Sequence, residues 1–252
     1  MSEFSGMTMK KYHLNHKRGM LIACEGISGS GKSKIVSQLY EQIAAQNEKI
    51  TIVEWNSNPL IRNIINKLYQ LNILSSNIYS LLQWVGFLND YFRKILPLLK
   101  KGYIIIADRY VYTGLTRDAM NRSNRFMGRL ISRYILKPDI LLFNDTDLEV
   151  CYFRIKMRGK PLFHTNQRIL QNKVLKNKDL YYLRKMQFQY TKLLNDPNLL
   201  GNTNVFIVNR WCDISQLIEF YMSLKRKRMP FINLNKRPDE EVAVCSRNQS
   251  NK

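Results

Sequence analysis

The residues with the clearest chemistry are Gly26-Ile27-Ser28-Gly29-Ser30-Gly31-Lys32-Ser33. They satisfy G-x-x-x-x-G-K-[ST], the spacing of a phosphate-binding loop. Glycines at these positions let the backbone curl with its N–H groups turned inward on a phosphate. A helix beginning directly afterwards adds the positive end of its dipole. Lys32 can reach the β- and γ-phosphates, and the Ser33 hydroxyl can ligate Mg2+. A second pair, Asp108-Arg109, closes the apolar run Tyr103–Ala107. A carboxylate there suits Mg2+ or its waters, and a planar guanidinium suits a second phosphate. The alternative, less favoured beside a phosphate loop, is a structural ion pair capping the sheet edge. Taken together the two stretches predict binding of a nucleoside triphosphate such as ATP with Mg2+.

Positioning these groups requires strands that end where they begin. Met20–Glu25 reads as a strand ahead of the loop, and Lys32–Asn47 as a helix with Ile35, Val36, Leu39 and Ile43 at helical spacing. Lys49–Glu54 reads as the next strand. Asn58 and Pro59 form a cap and first turn for a helix over Leu60–Tyr69. Asn77–Lys101 reads as one long helix with a bend near Pro97, stopped by Gly102. Tyr103–Ala107 is apolar throughout, as a strand buried on both faces must be. Helical stretches follow at Leu115–Asn121 and Asn124–Ile135, then a strand at Asp139–Asn144. Asp147 caps a helix reaching Met157. Asp179–Asn195 is a helix, Val205–Asn209 a strand and Asp213–Lys225 a last helix. Alternation of this kind specifies an α/β fold of the P-loop NTPase type: a five-stranded parallel sheet with helices on both faces. Ligands of such sheets sit at the carboxyl ends of the strands, where the loop, Glu54 and Asp108-Arg109 converge.

The ends differ in character. Residues 1–18 form a basic arm, residues 19–224 the folded domain with a basic segment at about 158–178, and residues 225–252 a charged, patternless tail expected to be disordered. The chain carries 40 Lys and Arg against 19 Asp and Glu, a net charge of +21. That balance favours polyanions. A nucleic-acid partner is one explanation; a Lys/Asn-rich composition on a nucleotide enzyme is the favoured one, as no nucleic-acid motif accompanies the charge. Cys24, Cys151, Cys212 and Cys245 lie far apart, which argues against zinc and fits reduced thiols in a cytoplasmic protein. No apolar run is long enough to span a membrane, and no secretory signal is evident.

Glu25-Gly26 through Ser33, then Asp108-Arg109-Tyr110, Lys137-Pro138-Asp139, and Arg154 through Arg158-Gly159 resemble the thymidylate kinases, P-loop nucleoside monophosphate kinases that read E-G-x-D-G-x-G-K-S, D-R-Y, K-P-D and R-x-x-x-R-G in this order. The resemblance covers roughly residues 19–222. It implies phosphoryl transfer from ATP to a nucleoside monophosphate, dTMP by default. Gly26 through Ser33 would hold the donor, with Ser33 and Asp108 at the Mg2+. Lys32, Asp108, Arg109, Arg154 and Arg158 would carry catalysis, Arg109 gripping the acceptor phosphate. The segment from Arg154 to Arg168 would form a lid over ATP, with Lys156, Lys160 and Lys173 adding charge. A homodimer is typical, and the long apolar helix could supply its interface.

The departures from the pattern fall on the acceptor side. Ser28 replaces the acidic residue that touches the acceptor sugar. Phe87 stands at the position of the thymine-reading arginine. With Trp84 and Tyr91 on one helix face, it could stack on a base or fill the core. Glu54 alone survives of an R-E-P loop, as a metal-water contact. Arg117 and Asp118 are either substitute acceptor contacts or surface residues. Tyr110, Phe87, Glu54 and Arg117 therefore join Arg109 as candidate acceptor contacts. The reading is a divergent thymidylate-kinase-like enzyme. A deoxynucleoside kinase is one alternative, and a basic nucleotide-binding protein with a nucleic-acid or protein partner and little turnover is another.

Overall fold

The computed structural model describes residues 18–159, 162, 177–208 and 213–228. Five parallel strands form one sheet: β1 (Leu21–Gly26), β2 (Ile50–Glu54), β3 (Ile104–Asp108), β4 (Ile140–Asn144) and β5 (Asn204–Val208), in the spatial order β2-β3-β1-β4-β5. The three inner strands are the predominantly apolar ones. Leu21, Ile22, Ile105, Ile106, Leu141 and Leu142 are fully or almost fully buried, whereas Ile52 and Ile207 on the two edge strands stay exposed. An inner strand of a covered parallel sheet has no wet face, so it needs no alternation. The register sets Cys24 beside Asp108, and Glu54 beside Asp108 on the other flank. The ends of β2, β3 and β1 therefore lie on one rim.

The helices are α1 (Lys32–Ala44), α2 (Pro59–Gln70), α3 (Ser76–Asp90), α4 (Leu96–Lys100), α5 (Val111–Asn121), α6 (Phe126–Tyr134), α7 (Leu148–Met157), α8 (Lys178–Leu194), α9 (Pro197–Leu200) and α10 (Asp213–Arg228). The stop and start signals behave as their chemistry dictates. Asn58 Oδ1 accepts the Leu60 N–H at the start of α2, and Asp147 Oδ1 accepts from Glu149 and Val150 at the start of α7. Gly102, at φ +81°, closes α4 with paired bonds from Gly102 N–H to Leu99 and Tyr103 N–H to Leu98.

Two expectations need correction. The helix expected over Asn77–Lys101 is interrupted: a π turn at Tyr91–Ile95 separates α3 from α4, with the Leu96 N–H bonded to the Tyr91 carbonyl. Pro97 explains it. Proline has no N–H for the carbonyl four residues back, and its ring crowds that carbonyl, so the preceding turn widens. The tail was expected from Lys225, but α10 continues to Arg228. Residues 229–252 and all of the amino-terminal arm except Arg18 lie outside the described residues. Arg18 forms a two-pronged ion pair with Asp139, whose other bond holds the Leu21 N–H. Lys17–Ile218 form one compact unit, which carries everything discussed below. Of the second unit, only 219–228 are described, as continuing helix.

Candidate active site

The loop after β1 is gripped from outside. Ser30 O accepts from Asn144 Nδ2 at 2.8 Å, Thr146 Oγ1 at 2.9 Å and Arg154 NH1 at 3.2 Å, and Gly29 O accepts from the same guanidinium at 3.2 Å. Arg109 NH1 donates to Gly26 O at 3.1 Å. With these carbonyls drawn outward, the loop can present its N–H groups to an anion. Gly29, at φ +84°, is required twice over: a Cβ there would stand 2.3 Å from the Cys151 carbonyl oxygen. Arg154 was expected at transferred phosphate. Its NH1 braces the loop from α7.

Two mouths open on this rim. One mouth, on the phosphate-loop side, is lined by Ile27, Ser28, Gly29 and Ser30 with Arg158 and Leu162. Ser28 thus faces the same side as Arg158. The other mouth, a cleft of about 370 Å3, runs from Asp108 past Glu54, Trp55 and Asn56 to Arg62, Gln83 and Arg117. Lys32, Ser33 and Arg109 belong to both. Lys32 Nζ pairs with Asp108 Oδ1. Burial lowers the Lys32 pKa, Arg109 repels its charge further, and Asp108 offsets part of this. Arg109 holds φ at +75°, a left-handed conformation that side chains rarely adopt.

Glu25 helps hold it there. This carboxylate is completely buried. Its Oε1 accepts the Tyr110 N–H at 2.8 Å and the Thr113 N–H at 3.1 Å, while Oε2 accepts from Thr113 Oγ1 at 2.6 Å and Tyr190 OH at 2.8 Å. It therefore caps the start of α5, the helix that follows Arg109 directly. Burial pushes the Glu25 pKa up, against the opposing pull of Arg109 and these donors. The sequence carried a signal for this role. A charged residue inside a run otherwise destined for full burial must find partners, and an acid suits a helix start.

Several acceptor-side expectations change. Phe87 does not line the cleft: it is 3% exposed, stacks on Trp55 with centroids 5.0 Å apart and meets Tyr110 edge-on at 5.3 Å. Tyr110 is fully buried, donates to Leu136 O at 2.9 Å and belongs to the same core. Trp84 and Tyr91 are core as well. Trp84 Nε1 donates to Asp118 Oδ2 at 2.8 Å, and Tyr91 OH accepts the Leu136 N–H at 2.9 Å. Asp118, also bonded by Ser123 Oγ, is thus a buried structural acid, and burial raises its pKa. Gly114 exists to admit Trp84, since a Cβ there would meet the indole at 2.7 Å. Of the aromatics near β2 and α3, Trp55 is the one that faces the cleft. Glu54 lines it too, exposed and 3.5 Å from Arg62. Arg117 lines it while donating to Gln83 Oε1 at 2.7 Å. Sequence reasoning missed Trp55, Asn56, Arg62 and Gln83. Only the position of Trp55 just after β2 pointed to the rim. Lys160, Arg168 and Lys173 of the expected lid lie outside the described residues.

The donor set at Ser33 and Asp108 suits Mg2+. Both are hard oxygen ligands on the same cleft, and Mg2+ characteristically takes one or two protein oxygens and completes its shell with phosphate and water. Among the described residues no cluster of three or more acidic, His or Cys side chains forms a self-sufficient metal cage.

A parallel sheet of this order, with a phosphate loop leading from its central strand into a helix and an arginine just past the end of the neighbouring strand, is the arrangement of a P-loop nucleotide kinase. The family model for thymidylate kinase matches residues 24–201, and the chain belongs to that family. It is 36% identical over 145 residues to a probable thymidylate kinase 2 of Saccharolobus solfataricus, covering 58% of this chain and 68% of that one. It is 22% identical over 208 residues to a probable thymidylate kinase of Archaeoglobus fulgidus, covering 82% and 98%. The thymidylate kinase of African swine fever virus matches at 26% over 174 residues, 64% of this chain and 69% of that one. The thymidylate kinase structure from Candida albicans shares the fold, with a TM-score of 0.58 at 21% identity over 84% of this chain and 94% of that one.

Proposed function

We propose that the chain transfers the terminal phosphoryl group of ATP to a nucleoside monophosphate, converting dTMP to dTDP. The observation that carries this is the sharing of Lys32, Ser33 and Arg109 by the two mouths. A donor held by the loop and an acceptor held in the Trp55–Arg117 cleft would meet at these three side chains. Lys32 and Arg109 then spread the charge of the moving phosphoryl group, and the cleft aligns the attacking oxygen. Positioning and charge neutralisation make up most of what such a transfer needs. Arg109, strained and backed by Glu25, is the residue for the acceptor phosphate, with Glu54 beside it. Arg158 at the donor mouth meets ATP. Mg2+ held by Ser33 and Asp108 would neutralise the donor phosphates and help hold them in line.

Purified protein with ATP and Mg2+ should form dTDP from dTMP. Failure to form a diphosphate from any monophosphate in a panel, or activity only on uncharged nucleosides, would overturn the assignment. A homodimer is supported by α3 and the turn after it, where Ile78, Leu81, Val85, Leu88 and Phe92 repeat at alternating spacings of three and four, four of them exposed. Among the described residues no helix is long and apolar enough to cross a membrane. The buried free thiols Cys24 and Cys151 support a reducing, cytoplasmic setting.

A further inference from the structure

The Arg109 guanidinium has two fixed bonds, and both are on one nitrogen. NH1 donates to Gly26 O at 3.1 Å and to Thr113 Oγ1 at 3.4 Å. That nitrogen carries two hydrogens, so both are spent. Nε and NH2 make no hydrogen bond, and Arg109 makes no ion pair, among the described residues. The edge left over, Nε with NH2, is a two-pronged donor that suits a phosphate. Whether NH1 stays in place depends on Thr113, which is completely buried. A hydroxyl has one proton to give and can also accept. Thr113 Oγ1 lies 2.6 Å from Glu25 Oε2, and Tyr190 OH lies 2.8 Å from the same oxygen. Glu25 Oε1 already takes the Tyr110 and Thr113 N–H groups. Donors alone converge on this side chain, the surroundings of an ionised carboxylate, which only accepts. Thr113 therefore gives its proton to Glu25 and turns a lone pair toward Arg109. With the hydroxyl reversed, hydrogen would face hydrogen at NH1, and the guanidinium would lose its second anchor.

Resting on the phosphotransfer reading above, we propose that Thr113 is the positioning residue of Arg109. Glu25 sets the direction of the Thr113 hydroxyl. That hydroxyl and the Gly26 carbonyl hold NH1, so the Nε–NH2 edge is presented to the acceptor phosphate where the two mouths meet. Thr113 touches no substrate and acts only through Arg109. The arrangement also ties the acceptor's arginine to the phosphate loop, because Gly26 is the first residue of that loop and Glu25 directly precedes it.

The test begins with a crystal structure of the full chain bound to dTMP. The phosphate should meet Nε and NH2, with NH1 still on Gly26 and Thr113. Phosphate on NH1 overturns the proposal, and so does a wild type that binds no dTMP by calorimetry. Thr113→Val keeps the shape and removes the hydroxyl. It should lower kcat/KM for dTMP about tenfold or more, with the KM for ATP unchanged. Thr113→Ser returns the hydroxyl and should return turnover to the wild-type level. Glu25→Gln keeps the shape of the carboxylate. Its carbonyl must face the Tyr110 and Thr113 N–H groups, so its NH2 faces Thr113 Oγ1 and reverses that hydroxyl. It should lose turnover as Thr113→Val does. Tyr190→Phe is the control. It takes a hydrogen bond from the same carboxylate without touching Arg109, so Tm should fall while kcat/KM for dTMP stays that of the wild type. Wild-type kcat/KM in Thr113→Val, or an equal loss in Tyr190→Phe, overturns the proposal. The dTMP-bound structure needs no variant to fold and reads Arg109 even if no diphosphate forms, a result that would count against phosphotransfer alone.

Discussion

Tyr190→Phe isolates what the Glu25 cluster contributes. The Tyr190 hydroxyl is fully buried, donates to Glu25 Oε2 at 2.8 Å and lies 3.0 Å from Thr113 Oγ1. Removing one oxygen leaves the ring contact with Phe143 in place, so the cavity contribution is small. What is lost is a hydrogen bond to a buried ionised group, about 1.5–3 kcal/mol. For a domain of this size that corresponds to a fall in Tm of roughly 3–12 °C. The sign of its pH dependence follows from which form of Glu25 the hydroxyl favours. Donation stabilises the carboxylate, while desolvation holds the folded Glu25 pKa above its ordinary value. The stabilisation is therefore present above that raised folded pKa, and it fades as the pH falls through it and Glu25 takes up a proton. Glu25 taken as a whole has the opposite sign. Its raised folded pKa favours the folded state below the unfolded pKa, and that benefit is lost as pH rises through the folded pKa. Urea unfolding of the wild type and the variant from neutral to mildly acidic pH measures both. A loss under about 0.5 kcal/mol at neutral pH, or a loss that does not shrink on acidification, would refute the view that Tyr190 supports an ionised Glu25.

Lys32→Ala should abolish dTDP formation, a loss of at least about a hundredfold, while circular dichroism stays that of the wild type; retained turnover would sink the donor assignment. Gly29→Ala forces a methyl against the Cys151 carbonyl and a left-handed φ on alanine, so ATP binding by calorimetry should weaken at least about tenfold, with stability down by about 1–3 kcal/mol. Leu81→Glu places a charge in the exposed apolar seam of α3 and should convert a dimer to monomer in sedimentation; an unchanged mass would show that the seam is not the interface.

The donor half of the site is legible in the chain because its chemistry is local. Eight consecutive residues encode the loop, and neighbouring apolar runs say that a strand precedes it and a helix follows. Asp108-Arg109 is legible for the same reason, as are the ends marked by Asn58-Pro59, Gly102 and Asp147. Pro97 announced an interruption, though not that it would take the form of a π turn. The acceptor half is a product of tertiary packing. Gln83 and Arg117 are separated by 34 positions and meet because α3 and α5 pack together. Helical spacing showed that Trp84, Phe87 and Tyr91 share a face, but the rotation of α3 against the sheet turned that face into the core. Trp55 on the loop after β2 was left to meet the cleft. Glu25 lies between these cases: its burial could be read from β1, but its four donors come from Tyr110, α5 and α8, 85 to 165 residues away in the sequence. Short-range spacing thus determined the phosphate loop, and the packing of helices distant in sequence decided what lines the cleft beside it.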